Sequence, residues 1–152
     1  MENKTFDEWL SELDLSFWGT AMHKIPPAQF FEKQASEGAV LLDMRSPEEV
    51  DHLALPFALH IPLCELPDRW QEVPADRLVA TFCSSAVRAV VGWVYFQLHG
   101  LDNVYILDAR YNELTTELKP GQVYKRTRYA GAGPGRLATG PVLPLRPQET
   151  SL

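Results

Sequence analysis

The chain has 152 residues, 45% hydrophobic and 22% charged, which suits one α/β domain with a complete core. Its formal net charge of −6 argues against wrapping a polyanion, so no nucleic-acid partner is expected. The uncharged stretch 89–101 is too short to span a bilayer, the first 15 residues do not read as a secretory leader, and two cysteines are too few for a disulfide framework. A cytoplasmic protein with no membrane partner is the expectation.

Charge is unevenly spread. From Lys119 onward six basic residues face one acid, so the first 118 residues carry −11 and the tail +5.

In chain order, Thr5 and Glu8 frame a capped amphipathic helix with Phe6, Trp9, Leu10 and Leu13 on one face. Pro26-Pro27 closes the segment after that helix, and 28–36 reads as a helix with Phe30, Phe31 and Ala35 inward and Gly38 past its end. The apolar run 39–43 suits a strand buried on both faces. Ser46 and Pro47 open a short helix. Strands follow at 58–61, 78–82 and 103–107, separated by helices at 65–70 and 86–98, the latter ended by Gly100. A last helix, 111–118, stops at Pro120-Gly121. Strand alternating with helix implies a mostly parallel sheet covered on both sides. From Ala130 the final 23 residues hold four glycines and four prolines without hydrophobic periodicity, which reads as a mobile or loosely attached tail.

The segment Thr81-Phe82-Cys83-Ser84-Ser85-Ala86-Val87-Arg88 carries the strongest chemical signal. A buried strand ends, a cysteine follows at once, and small residues lead into a helix with an arginine in its first turn. Ligands of open parallel sheets sit beyond the carboxyl ends of the strands. Backbone N–H groups converge there, and the helix dipole adds partial positive charge. Thiolate is the form such dipoles favour and the form that attacks. The competing reading is an inert buried cysteine, the fate of most free cysteines. The small polar turn and Arg88 argue against it.

Four segments resemble the rhodanese family. Asp43-Met44-Arg45-Ser46-Pro47-Glu48-Glu49 is similar to its Asp-x-Arg-Ser-Pro-x-Glu opening, and Pro56-Phe57-Ala58-Leu59-His60-Ile61-Pro62 to its Pro-Gly-Ala-x-Asn-Ile-Pro. Cys83 to Ala89 aligns with Cys-x-x-Gly-x-Arg-Ser, and Gly100-Leu101-Asp102-Asn103-Val104 with Gly-Phe-x-Asn-Val. The resemblance implies a three-layer α/β/α fold with a mostly parallel central sheet of about five strands. It divides the chain into a helical extension (1–24), the rhodanese domain (25–121) and a basic Gly/Pro-rich tail (122–152).

The same resemblance implies a sulfurtransferase. Cys83 would take a sulfane sulfur from a small sulfur-containing anion such as thiosulfate, or from a persulfide. It would hold a persulfide on the amides of Ser84, Ser85, Ala86, Val87 and Arg88, then pass the sulfur to a thiophilic acceptor, a small thiol or a protein. Arg88 would brace the loop and supply charge, and no metal or organic cofactor is implied. In this superfamily a six-residue loop goes with sulfur substrates and a seven-residue loop with phosphate, which counts against phosphatase or arsenate reductase chemistry.

Asp43 and Arg45 are expected at the same sheet edge as a buried ion pair or loop brace, with Arg45 meeting Glu49. Arg110 leaves the fourth strand there and could offer charge to an anionic donor. Cys64 follows another strand; it reads as a small half-buried residue, or less simply as a thiol that resolves a modified Cys83. Several family positions are changed, most notably the loop glycine, here Ala86, and the serine after the arginine, here Ala89. An alanine at 86 adds strain if the position needs positive φ. These changes motivate a second function, a binding or regulatory module with little turnover. The nearly all-apolar helix 86–98 suggests burial under the N-terminal helix or, second, a homodimer interface.

Overall fold

The computed structural model describes residues 3–129. Its five strands are β1 (Lys24–Ile25), β2 (Val40–Asp43), β3 (Leu59–His60), β4 (Val79–Phe82) and β5 (Val104–Leu107). They form one sheet in the order β1-β5-β4-β2-β3, and every pairing is parallel. The register sets Asp43 beside both Phe82 and His60, so the strands end nearly level. Central β4 is buried at all four positions because both faces of the sheet are covered, and its one polar side chain, Thr81, is buried with the rest. β1 has two residues and no pattern of its own; only its pairing with β5 reveals it.

Two helical layers complete the fold. One core holds Trp9, Leu66, Trp93 and Phe96 from α1 (Phe6–Ser11), α5 (Leu66–Arg69) and α6 (Val87–Leu98). The opposite core holds Phe30 and Phe31 of α3 (Pro27–Glu37) and Leu114 of α7 (Tyr111–Thr116). The short helix α4 (Pro47–His52) follows β2, with the capping box of Ser46 and Glu49 fixing its start.

Both ends of the domain differ from the sequence reading. Trp9 packs edge-on against Trp93 at 5.6 Å, but its expected companions Phe6 and Leu10 are exposed. A second helix, α2 (Leu15–Thr20), capped by Asp14, carries Phe17 onto the same core instead. At the other end α7 stops as expected, yet Pro120 opens a further helix, α8 (Pro120–Tyr129), because proline suits a first turn as well as it ends a helix. Arg126 folds back, its guanidinium 4.7 Å from the Phe31 ring centre and hydrogen-bonded to Glu117. The tail from 130 onward lies outside the described residues. On α6, Trp93 and Phe96 are buried while Val87, Val90 and Val91 remain exposed, so burial accounts for only part of that apolar helix. Among the described residues no helix is long and apolar enough to cross a membrane.

Candidate active site

With all strands parallel, their carboxyl ends share one edge. Cys83 follows β4 directly, Asp43 ends β2 and Arg45 lies two residues on, and Arg110 follows β5. Thr81, one residue before the end of β4, donates from Oγ1 to the carbonyl of Ala89 at 2.9 Å. That bond ties the strand to the first turn of α6 and fixes the loop between them.

Cys83 has no solvent exposure, and its Sγ accepts the N–H of Ala89 at 3.4 Å. The amides of Ser84 to Arg88 are expected to hold the outer sulfur of a persulfide; the thiol itself accepts the N–H one residue further on. Among the described residues, none accepts a hydrogen bond from the N–H groups of Ser84, Ser85, Ala86, Val87 or Arg88. Such orphan donors are normal for a first helical turn. Ala86 holds φ at 69°, the left-handed region that the family glycine adopts freely, and so carries the strain of an alanine there.

Arg88 closes the loop. Its guanidinium donates to both oxygens of Glu49, at 2.6 and 2.8 Å, and to Ser84 Oγ at 3.1 Å. Arg88 holds the Glu49 carboxyl well below the usual carboxylate range, helped by the N–H and hydroxyl of Ser46. Glu49 in turn pushes Arg88 upward, with a smaller contribution from Cys83.

Arg45 does not meet Glu49. It lies fully buried and forks onto Asp43, with Nε at 2.9 Å from Oδ1 and Nη2 at 2.6 Å from Oδ2. Its remaining arm donates to the Tyr111 hydroxyl at 3.1 Å, and the Phe82 and Tyr111 rings lie 5.7 and 5.5 Å from its charge centre. Burial alone would lower its affinity for the proton; Asp43 and Tyr111 outweigh that and raise it. The buried pair thus forms with a different partner from the one expected, since the carboxylate two residues back is nearer than one on α4. The Arg45 carbonyl lies 2.7 Å from His60 Nε2.

Arg110 is exposed, and its backbone N–H donates to Glu113 at 2.9 Å. Cys64 sits in a single 3₁₀ turn (Leu63–Glu65) and is exposed rather than half-buried. Sequence reasoning missed Glu49 as the partner of Arg88 and Tyr111 as the brace of Arg45. The first was visible only as the fourth residue of a capping box, which says where its backbone bond goes but not its second partner. A cavity of about 280 Å³ lies away from this edge, between α1 and the far end of α6, lined by Lys4, Trp9, Glu12, Phe17, Gln97 and Asp102.

Comparison with known proteins identifies the family and the fold. A family model described as the rhodanese-like domain matches residues 27–117. The chain is 33% identical over 69 residues to a sulfurtransferase of Allochromatium vinosum. That match covers 45% of this chain and 64% of the relative, just under two thirds of its length. Among solved structures the chain is similar to a human single-domain sulfurtransferase, at 26% identity and a TM-score of 0.51, over 62% of this chain and 96% of the other. A rhodanese-related protein of Thermoplasma volcanium shares the fold at 22% identity and a TM-score of 0.56, over 64% of this chain and 95% of the other. With well over half of its residues matched, the chain belongs to the rhodanese-like domain family.

Proposed function

We propose that the protein is a sulfurtransferase whose nucleophile is Cys83. The observation that carries this is the sulfur's position at the base of a six-residue loop whose five remaining N–H groups are unengaged among the described residues. As thiolate, Cys83 attacks the outer sulfur of a sulfane donor. The new S–S bond forms as the donor's own breaks, leaving a Cys83 persulfide and releasing sulfite from thiosulfate or a thiolate from an organic persulfide. Sulfur oxidation levels are conserved overall, so no external electron carrier is needed. The outer sulfur then lies among the loop amides, which stabilise negative charge without cost of reorganisation. A thiol acceptor, small or protein-borne, attacks that outer sulfur and regenerates Cys83.

Arg88 keeps the loop closed by fastening Ser84 to α4. Asp43, Arg45 and Tyr111 form a buried hydrogen-bonded group at the same sheet edge, with the Arg45 guanidinium over the Phe82 ring next to Cys83. The test is thiocyanate formation from a sulfane donor and cyanide, comparing the native protein with Cys83→Ser and Cys64→Ser. Turnover retained by Cys64→Ser and abolished by Cys83→Ser is expected. Equal turnover in all three removes Cys83 from the reaction, and no turnover in any leaves a binding module as the better reading.

A further inference from the structure

Three arginines stand at the carboxyl edge of the sheet, and they differ in what holds them. Arg45 is fully buried on Asp43, and Arg88 forks onto both oxygens of Glu49 while reaching Ser84. Both belong to the frame around the loop. Arg110 is exposed, and its guanidinium has no ion-pair partner among the described residues.

The backbone that carries Arg110 is nevertheless fixed. Ala109 before it is buried, with its N–H on the Leu107 carbonyl at 2.8 Å. The N–H of Arg110 donates to Glu113 at 2.9 Å, and its carbonyl accepts the N–H of Leu114 at 3.0 Å. Tyr111 after it accepts from Arg45 and sets its ring 6.0 Å from that of Phe82, the residue before Cys83. Because β4 lies between β5 and β2, Arg110 flanks the Cys83 loop on one side and α4 flanks it on the other. The α4 side exposes Glu48 and Asp51. An anion at the mouth is thus turned away from α4 and drawn toward Arg110.

We infer that Arg110 binds the anionic end of the sulfur donor, so that the site favours donors with a negative group beyond the transferred sulfur: the sulfonate of thiosulfate or the carboxylate of an organic persulfide. This rests on the sulfurtransferase reading above. When Cys83 attacks the outer sulfur, the rest of the donor points away from the loop amides and out of the cradle. A guanidinium suits sulfonate and carboxylate alike, since two parallel N–H groups match two oxygens. With no carboxylate of its own to hold, Arg110 has those N–H groups to offer. It acts on capture of the donor and not on the exchange of S–S bonds, so it lowers the donor concentration needed and leaves the limiting rate nearly unchanged.

The experiment follows single-turnover sulfur loading of Cys83 by intact-protein mass spectrometry over a range of donor concentrations. The donors are thiosulfate and the persulfides of N-acetylcysteine and of N-acetylcysteine amide, the last two differing only in carboxylate against carboxamide. Each is offered to the native protein, Arg110→Ala and Arg110→Lys. In Arg110→Ala the half-saturating concentration should rise at least about threefold for the two anionic donors, the scale of an exposed charge contact, with loading from the amide donor little changed. Arg110→Lys should recover most of that loss, since an ammonium keeps the charge without the fork. Added salt should weaken thiosulfate loading more in the native protein than in Arg110→Ala. A rise with thiosulfate alone assigns the contact to sulfonate, and a rise with the carboxylate donor alone assigns it to organic persulfides; either supports the inference. Unchanged half-saturation with both anionic donors, an equal loss with the amide donor, or a fall in limiting rate alone would overturn it and leave the sulfurtransferase reading intact. Failure of all three donors to load Cys83 would remove that reading, and this inference with it.

Discussion

Arg88 reaches across 39 positions of sequence to grip Glu49 with two parallel hydrogen bonds, and in doing so ties the loop around Cys83 to the helix after β2. Only a guanidinium can make both bonds and still reach Ser84 with one arm. Arg88→Lys keeps the charge but loses the fork, so kcat/KM for thiocyanate formation should fall about tenfold, equivalent to roughly 1.4 kcal/mol. Steady-state kinetics over a series of donor concentrations would check this. Native-like kcat/KM in the lysine variant would mean that charge alone is what the loop uses.

Ala86 carries the loop's strain. A Cβ in the left-handed region costs about 1–2 kcal/mol, and glycine's extra freedom in the unfolded chain returns about 0.5–1 kcal/mol of that. Ala86→Gly should therefore stabilise the protein by roughly 0.5–1 kcal/mol, read as a higher urea midpoint at unchanged slope. A lower midpoint would mean that the alanine methyl makes packing contacts worth more than the strain.

Gly92 of α6 lies against the side chain of Met44, which directly follows β2. A methyl group there would sit 2.2 Å from Met44 Sδ and 2.4 Å from its Cε. Met44 is fully buried and cannot swing outward, so Gly92→Ala should destabilise by about 1–3 kcal/mol. Met44→Ala alone should cost about 2–5 kcal/mol through its cavity. The double variant should cost less than the sum by at least about 1 kcal/mol, since each change makes room for the other. Strict additivity in denaturation would contradict that contact.

Much of this frame was legible in the sequence. The runs 39–43, 78–82 and 103–107 mark three strands nearly to the residue, because burial on both faces leaves a mostly apolar run with at most one polar residue. The Cys83 loop was legible for a related reason: a strand end, small residues and a helix start are all local features. Pairings between distant segments were not legible. Nearness in sequence pairs Glu49 with Arg45, whereas the fold brings Arg88 to α4 and pairs Arg45 with Asp43. β1 and α2 were missed because each depends on what it packs against: β1 on its pairing with β5, α2 on Trp93 and His23.

His23 supplies a test of that N-terminal packing. It is buried, its Nδ1 has no hydrogen-bond partner among the described residues, and its ring packs against Phe17 at 5.3 Å, Trp18 at 5.1 Å and Trp93 at 5.8 Å. Burial lowers its proton affinity, Lys24 lowers it further, and Asp108 opposes them. A histidine depressed in the folded state binds its proton more readily when unfolded. Its contribution should therefore be full above the unfolded value of about 6.5 and decline as pH falls below it, until the folded ring also takes up its proton. Glu49, held low by Arg88, also favours the folded state less as pH falls, but only below the unfolded carboxylate value of about 4.3, so the two windows separate. Urea midpoints between about pH 8 and 5.5 should drop more in the native protein than in His23→Phe. Parallel curves would show that the ring keeps its ordinary proton affinity in the folded state.

The account depends most directly on Cys83 holding a transferable sulfur. Intact-protein mass spectrometry after brief exposure to a sulfane donor, thiosulfate or the persulfide of a neutral thiol, tests it on the native chain and on Cys83→Ser. A gain of one sulfur mapped to Cys83, absent from the variant and removed by cyanide, is the predicted result. No gain from either donor, or a gain that persists in Cys83→Ser and maps to exposed Cys64, would contradict it.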